Sequence, residues 1–178
     1  MSSTSESYPT YIYKILPSDA KPSSPLPEAL PVSDLDQRDG FVHCSTSQQL
    51  LGTLNAFFSY VDPLYSQFLY SYNSTPSLDT ISSNFPELTH IRNESHVYIL
   101  RIKYEKVASY IKWENAVGKQ PEEVGGCWDT EGKAGFFPHI YNGLKVGKDE
   151  VDDSEEWKQG NKGWSGEGWC WGKVDCPV

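Results

Sequence analysis

The sequence predicts a small α+β domain of short strands and a few helices, and three stretches carry that reading. Tyr11-Ile12-Tyr13-Lys14-Ile15-Leu16 alternates its side chains with period two, as a half-buried strand does. Leu50, Leu51, Leu54, Phe57 and Phe58 form one stripe at helical spacing. Val97-Tyr98-Ile99-Leu100-Arg101-Ile102 is a β-branched and aromatic run of strand length.

The first strand leads into a loop containing Pro17, Pro22, Pro25, Pro27 and Pro31, a spacing that excludes a helix or a central strand. An exposed loop is the plain reading. Asp39-Gly40 then marks a tight turn, and Phe41-Val42-His43-Cys44 a short strand. Ser45 and Thr46 each precede a glutamine by three residues, the spacing of a capping box. In that pattern, side chains satisfy the free amides of a helix's first turn. The helix is expected from about Ser47 to Tyr60. Tyr110 to Glu114 reads as another strand. Gly135 to Tyr141 reads as a further one, with Pro138 at a sheet edge. Asn142-Gly143 is a turn, and Val146 and Val151 suggest a last short strand.

Residues 1–8 are expected to be disordered, and 9–151 to form a single domain with an insertion at 61–95. Within that insertion, Leu64, Phe68 and Leu69 suit a short helix. Lys119 to Gly135 is a polar, Gly-rich loop. Residues 152–178 form an acidic and Trp-rich C-terminal extension, expected to pack back because exposed aromatic patches are costly.

The chain has 178 residues, one domain's worth, and so many aromatic residues (11 Tyr and 6 Trp) that large rings must carry much of the burial. Its formal charge is -9, with no basic run, which argues against a nucleic-acid phosphate backbone as partner. The four cysteines form no close ligand pair, so a structural zinc site is not expected. Cys170 and Cys176 are near enough in sequence to bridge. The first ten residues lack the basic and apolar regions of a secretory signal, and no apolar run reaches the ~20 residues that span a bilayer. A cytoplasmic protein with reduced thiols and no membrane partner is expected.

Candidate chemistry gathers at two histidines. His43 stands on a strand just before a helix N-terminus, where free amides, partial positive charge and the hydroxyls of Ser45 and Thr46 would welcome an anion. A core histidine beside two ordinary caps fits the same residues. His139 and Tyr141 share one face of their strand, suiting an aromatic ligand or a ribose, or local hydrogen bonding alone. Glu114, beside Trp113, is a carboxylate in an apolar setting. Burial would suit it to acid–base work, and a surface position on an edge strand is the plainer alternative.

Ser33-Asp34-Leu35-Asp36, followed by Asp39-Gly40-Phe41-Val42-His43-Cys44-Ser45-Thr46 and Gln48, resembles the signature of the domain of unknown function 952 family. The family's second signature, a strand ending in Glu and then Phe-Pro-His-Leu-Tyr-Gly, is similar to Ile111-Lys112-Trp113-Glu114 and Phe137-Pro138-His139-Ile140-Tyr141. Asn142 displaces the final glycine to Gly143. The resemblance covers roughly residues 10 to 60 and 96 to 151. It implies small split antiparallel sheets with an ADP-ribosyltransferase-like cleft for NAD or a related nucleotide. By the same resemblance His43 would hydrogen-bond a ribose, with Ser45 and Thr46 nearby. Tyr141 would stack on nicotinamide, oriented by His139. Glu114 would polarise a ribose hydroxyl as the glycosidic bond loosens toward an oxocarbenium-like state. A transferase or hydrolase acting at a nucleotide ribose, with NAD as the candidate substrate, is one expectation. A non-catalytic module binding a small molecule or peptide is a second. A metal held by His43, His139 and Glu114 is a third. Fold alone supplies no reaction.

Overall fold

The computed structural model describes residues 8–59, 94–115, 119–120, 123, 135–161 and 163–171. The expectations for residues 1–7, for nearly all of the insertion, for most of the loop after Lys119 and for a Cys170–Cys176 bridge lie outside these residues.

Among the described residues, six strands form two three-stranded antiparallel sheets. One sheet has the order β1 (Tyr11–Leu16), β3 (His96–Lys103), β6 (Val151–Lys158). The other has the order β2 (Val42–His43), β5 (Phe137–Ile140), β4 (Ile111–Glu114). A single bridge joins them, with Tyr13 and Ser45 exchanging backbone hydrogen bonds of 2.8 Å in each direction. Helix α1 (Asp34–Asp39) precedes β2 and α2 (Ser47–Phe57) follows it. A short helix, α3 (Tyr104–Val107), and one 3₁₀ turn connect β3 to β4.

The alternation in β1 and β3 decides the layers. Ile12, Leu16, Leu100 and Ile102 point toward Val42 and Ile140 of the other sheet and form the inner core with them. Tyr13, Val97 and Ile99 point the opposite way, onto Leu50 and Leu54 of α2. β1 and β3 are thus buried on both faces, which is why β3 reads as a nearly continuous apolar run.

Several elements differ instructively from expectation. Gly40 ends α1 as a left-handed cap (φ 78°) rather than closing a hairpin-like turn, so the Asp-Gly signal reported a helix end. Thr46 is the N-cap of α2 and forms the capping box with Gln49. The helix stops at Phe57, which is 42% exposed and lies outside the buried stripe. Pro138 sits on the central strand of its sheet, not at an edge. It is accommodated because pairing to β2 ends there. Cys44 donates to the Pro138 carbonyl (3.1 Å), and Pro138 has no N–H to return.

The acidic stretch is a full strand. β6 runs from Val151 to Lys158, while Val146 belongs to the loop before it. Between its buried ends, Val151 and Trp157, the strand exposes mainly Asp, Ser and Glu, which guards a sheet edge against further pairing. Beyond it the chain packs back. Trp164 is 5% exposed, and Asn55 clamps its backbone, accepting from Trp164 N–H and donating to its carbonyl. Trp169 lies 5.0 Å from Trp157 and 5.5 Å from Tyr13, measured between ring centroids.

The proline loop is anchored as well. Leu30 is buried and donates to the Val146 carbonyl (2.7 Å), Lys148 donates to the Pro27 carbonyl (2.9 Å), and the Lys148 ammonium pairs with Glu28. A β-carbon on Gly147 would overlap the Glu28 backbone carbonyl. Gly147→Ala is therefore expected to destabilise the fold by on the order of 3 kcal/mol. A urea midpoint equal to wild type would show that the two loops do not meet this closely.

Candidate functional site

The site begins at a buried carboxylate. Ser33 caps α1 by accepting from the Asp36 N–H (3.1 Å), which sets the first turn and places the Asp36 side chain inward, 2% exposed. Lys14, on the inward face of β1, donates to Asp36 Oδ2 at 2.6 Å. The other oxygen, Oδ1, accepts from the His43 backbone N–H (3.0 Å) and from His43 Nδ1 (2.8 Å). Burial raises the pKa of Asp36, but the His43 hydrogen bonds and the Lys14 charge outweigh it and hold the carboxyl well below the usual range.

The strand register then brings the two histidines together. His43 pairs with His139 across β2 and β5. Cys44 spends its N–H on β5, so the N–H of His43, one residue earlier, points away from β5, toward Asp36. A cross-strand pair of this kind sets its side chains at their closest. The ring centroids are 5.1 Å apart at 63°.

A second carboxylate fixes the second ring. Glu114, at the end of β4, is 4% exposed, although β4 is an edge strand. Its Oε2 accepts from His139 Nδ1 (3.0 Å) and from the Tyr141 hydroxyl (2.8 Å). A carboxylate can only accept, so the His139 proton sits on Nδ1 and Nε2 keeps its lone pair. Burial lowers the His139 pKa, and the bond to Glu114 opposes that shift without cancelling it. The Tyr141 phenol is pushed up to about 12 by burial and by its bond to Glu114, so it stays protonated.

Phe41 and Lys112 complete the face. The Phe41 ring stacks on His139 (4.2 Å, 20°) and lies 4.5 Å from His43 and 5.1 Å from Tyr141, all between ring centroids. Lys112, opposite His139 in register, places its ammonium 4.2 Å above the Tyr141 ring.

Of the residues singled out in the sequence, His43, His139, Glu114 and Tyr141 converge on this face. Ser45 and Thr46 lie behind it, 3% and 6% exposed. The Ser45 hydroxyl bonds Thr53, and the Thr46 hydroxyl accepts from Gln49 N–H. Among the described residues no three His, Cys, Asp or Glu side chains converge as metal ligands. Nor is any helix long and apolar enough to cross a membrane. A cavity of about 20 Å³ beside Lys14 and Asp36 has room for about one water. Asp36 lies within the first motif without any local mark of a site residue. Its sequence signal is Lys14, a cation on the buried face of a strand, which requires a buried anion.

Two measurements probe this network. Asp36→Asn leaves Lys14 buried without its counter-charge and is expected to cost about 3–5 kcal/mol; the Asp36→Asn, Lys14→Met double variant should recover part of it. Equal urea midpoints for the two variants would show that the pair is not coupled. The second is pH dependence. The native pKa of His139 lies below its ordinary 6.5, so below that pH the unfolded chain binds a proton the native state refuses. Stability is expected to fall as pH drops from 6.5 through the native value. Asp36 adds the same sign of loss once pH passes below 3.8, its ordinary value. His139→Gln should flatten the first limb; an unchanged slope would place that titration elsewhere.

The chain was compared with known proteins. No curated protein matches it. Among solved structures, protein CC0527 from Caulobacter crescentus and a double mutant of it each align over 86% of this chain and 91% of theirs. Each is 20% identical, with a TM-score of 0.48. The model of the family described as protein of unknown function (DUF952) matches residues 17–72 and 86–153, well over half of the chain. Both halves of the histidine site fall inside those spans, and the chain belongs to this family.

Proposed function

We propose that the protein binds NAD or a related nucleotide through its ribose, in an ADP-ribosyltransferase-like cleft, and acts on the glycosidic bond. The observation that carries this reading is the meeting of two carboxylate-held imidazoles, His43 on Asp36 and His139 on Glu114, across one strand pair. Fixing His139 through Nδ1 leaves its Nε2 for a ligand, while His43 Nε2 lies 3.4 Å from the Asp39 carboxylate. His43, the more exposed, hydrogen-bonds a ribose hydroxyl. Tyr141, protonated and beside Lys112, presents a ring face and a hydroxyl to the base and its anionic linkage.

The chemistry follows from charge. Breaking the bond between the ribose anomeric carbon and nicotinamide sends the electron pair to the departing ring nitrogen and leaves an oxocarbenium-like sugar. The carboxylate of Glu114, in a low-dielectric setting, favours that cation. An acceptor hydroxyl then bonds to the anomeric carbon and passes its proton to Nε2 of His139, which burial keeps unprotonated and available as a base.

NAD is expected to raise the melting temperature of the wild type, and purified protein to release nicotinamide from it. Glu114→Gln keeps the size of the side chain and removes its charge. Turnover should then fall about 10²–10³-fold with the NAD shift retained. His43→Ala should weaken the shift itself. If NAD, ADP-ribose and nucleoside phosphates all leave the melting temperature unchanged, the nucleotide reading fails.

A second reading is a binding module without turnover, and the low exposure of His139 and Glu114, 5% and 4%, favours it. It predicts a thermal shift with no nicotinamide release from wild type or Glu114→Gln.

A further inference from the structure

Resting on the reading that His139 meets the ligand, we propose that Phe41 is the specificity-determining residue of the site. Its ring occupies the seat that a planar aromatic or heteroaromatic group of the ligand takes over.

His139 and Glu114 are 5% and 4% exposed, and a flat ligand ring cannot lie on the face of His139 while Phe41 covers it. Among the described residues, the ring that lies face-on over His139 is Phe41, 4.2 Å away and tilted by only 20°. The same ring lies within 5.1 Å of Tyr141 and 4.5 Å of His43. Three polar-tipped rings therefore surround one apolar ring, and the Nε2 of His139 is an acceptor that Phe41 cannot use. The flat face of His139 and that acceptor fit a heterocycle or aromatic amide better than they fit phenylalanine.

Phe41 is also placed to leave. It is only partly buried, while Val42, the residue after it, belongs to the core. Gly40, just before it, is left-handed, and a β-carbon built there meets nothing within 4 Å, so the solvent side of this corner is open. Asp36 and the β2–β5 pairing hold His43 and His139 in place if Phe41 swings out. An entering flat ring recovers the stacking on His139 that Phe41 gives up. A non-planar group of equal size cannot, and this difference is the source of the selectivity.

The test uses diethylpyrocarbonate, read by peptide mass spectrometry at each histidine. The imidazole Nε2 lone pair attacks an anhydride carbonyl, an N–C bond forms, and monoethyl carbonate leaves. In the wild type His139 is expected to react about tenfold more slowly than His43, the scale of opening one aromatic stack. Phe41→Ala should bring the two rates together. Phe41→Leu, which keeps apolar bulk for folding, should do so in part. In either variant benzamide should protect His139, whereas cyclohexanecarboxamide, similar in size and not flat, should not. A His139 as reactive as His43 in the wild type, or unchanged in both variants, overturns the gate. Equal protection by both amides, or by neither, overturns the selectivity. No nucleotide enters this experiment, so its failure is distinguishable from failure of the nucleotide reading.

Discussion

Asp36 accepts hydrogen bonds from a lysine ammonium, a backbone amide and an imidazole, and this one buried carboxylate ties β1, α1 and β2 together. A buried charge this poorly exposed is unfavourable unless it is paired and fully hydrogen-bonded. Both conditions are met here, by Lys14 of β1 and by the amide and ring of His43 in β2. Lys14 ties the carboxylate to the larger sheet. The His43 amide satisfies the open edge of β2, where the two sheets separate. The bond to the imidazole fixes a ring whose side chain stays 29% exposed. Removing the carboxylate would free all three at once.

The second support is a backbone constraint. Pro138 stands on the central strand of its sheet and stops the ladder to β2. That short pairing leaves the side chains of His43 and His139 together at the end of a two-residue strand. Just before β5, Gln49 completes the cap of α2 through its oxygen, accepting from Thr46 N–H. Through its nitrogen it donates to the Phe136 carbonyl at 2.7 Å. The residue that closes the first turn of the helix therefore also positions the strand carrying His139. The hydroxyls of Ser45 and Thr46, which the sequence offers as ligand contacts, are part of this frame.

The legible parts of the site are those with local signals. His43 and His139 stand in short motifs, and Tyr141 follows from strand alternation. The carboxylate partners are less visible. Glu114 reads as a surface residue on an edge strand, and its burial depends on what lies over that face. Asp36 reads as an acidic residue in the first turn of a helix, a common and usually solvated position. Only the approach of Lys14 from another strand makes it the centre of a network. Phe41 reads as an ordinary apolar residue at the start of a strand, with no local sign that its ring meets three polar ones.

Local patterning was enough to establish a small α+β domain, its first and third strands, the capped helix after His43 and the two motifs that carry His43 and His139. Those features depend on periodicity and on side chains acting within a few residues. Tertiary structure decided the rest. It put an acidic stretch into a sheet, because an edge strand needs only two buried anchors and solvates its remaining side chains. It put a proline at a sheet centre and lowered one carboxylate's pKa while raising a phenol's. Strand register and burial are properties of pairs of segments, and no window of sequence contains both members of the pair.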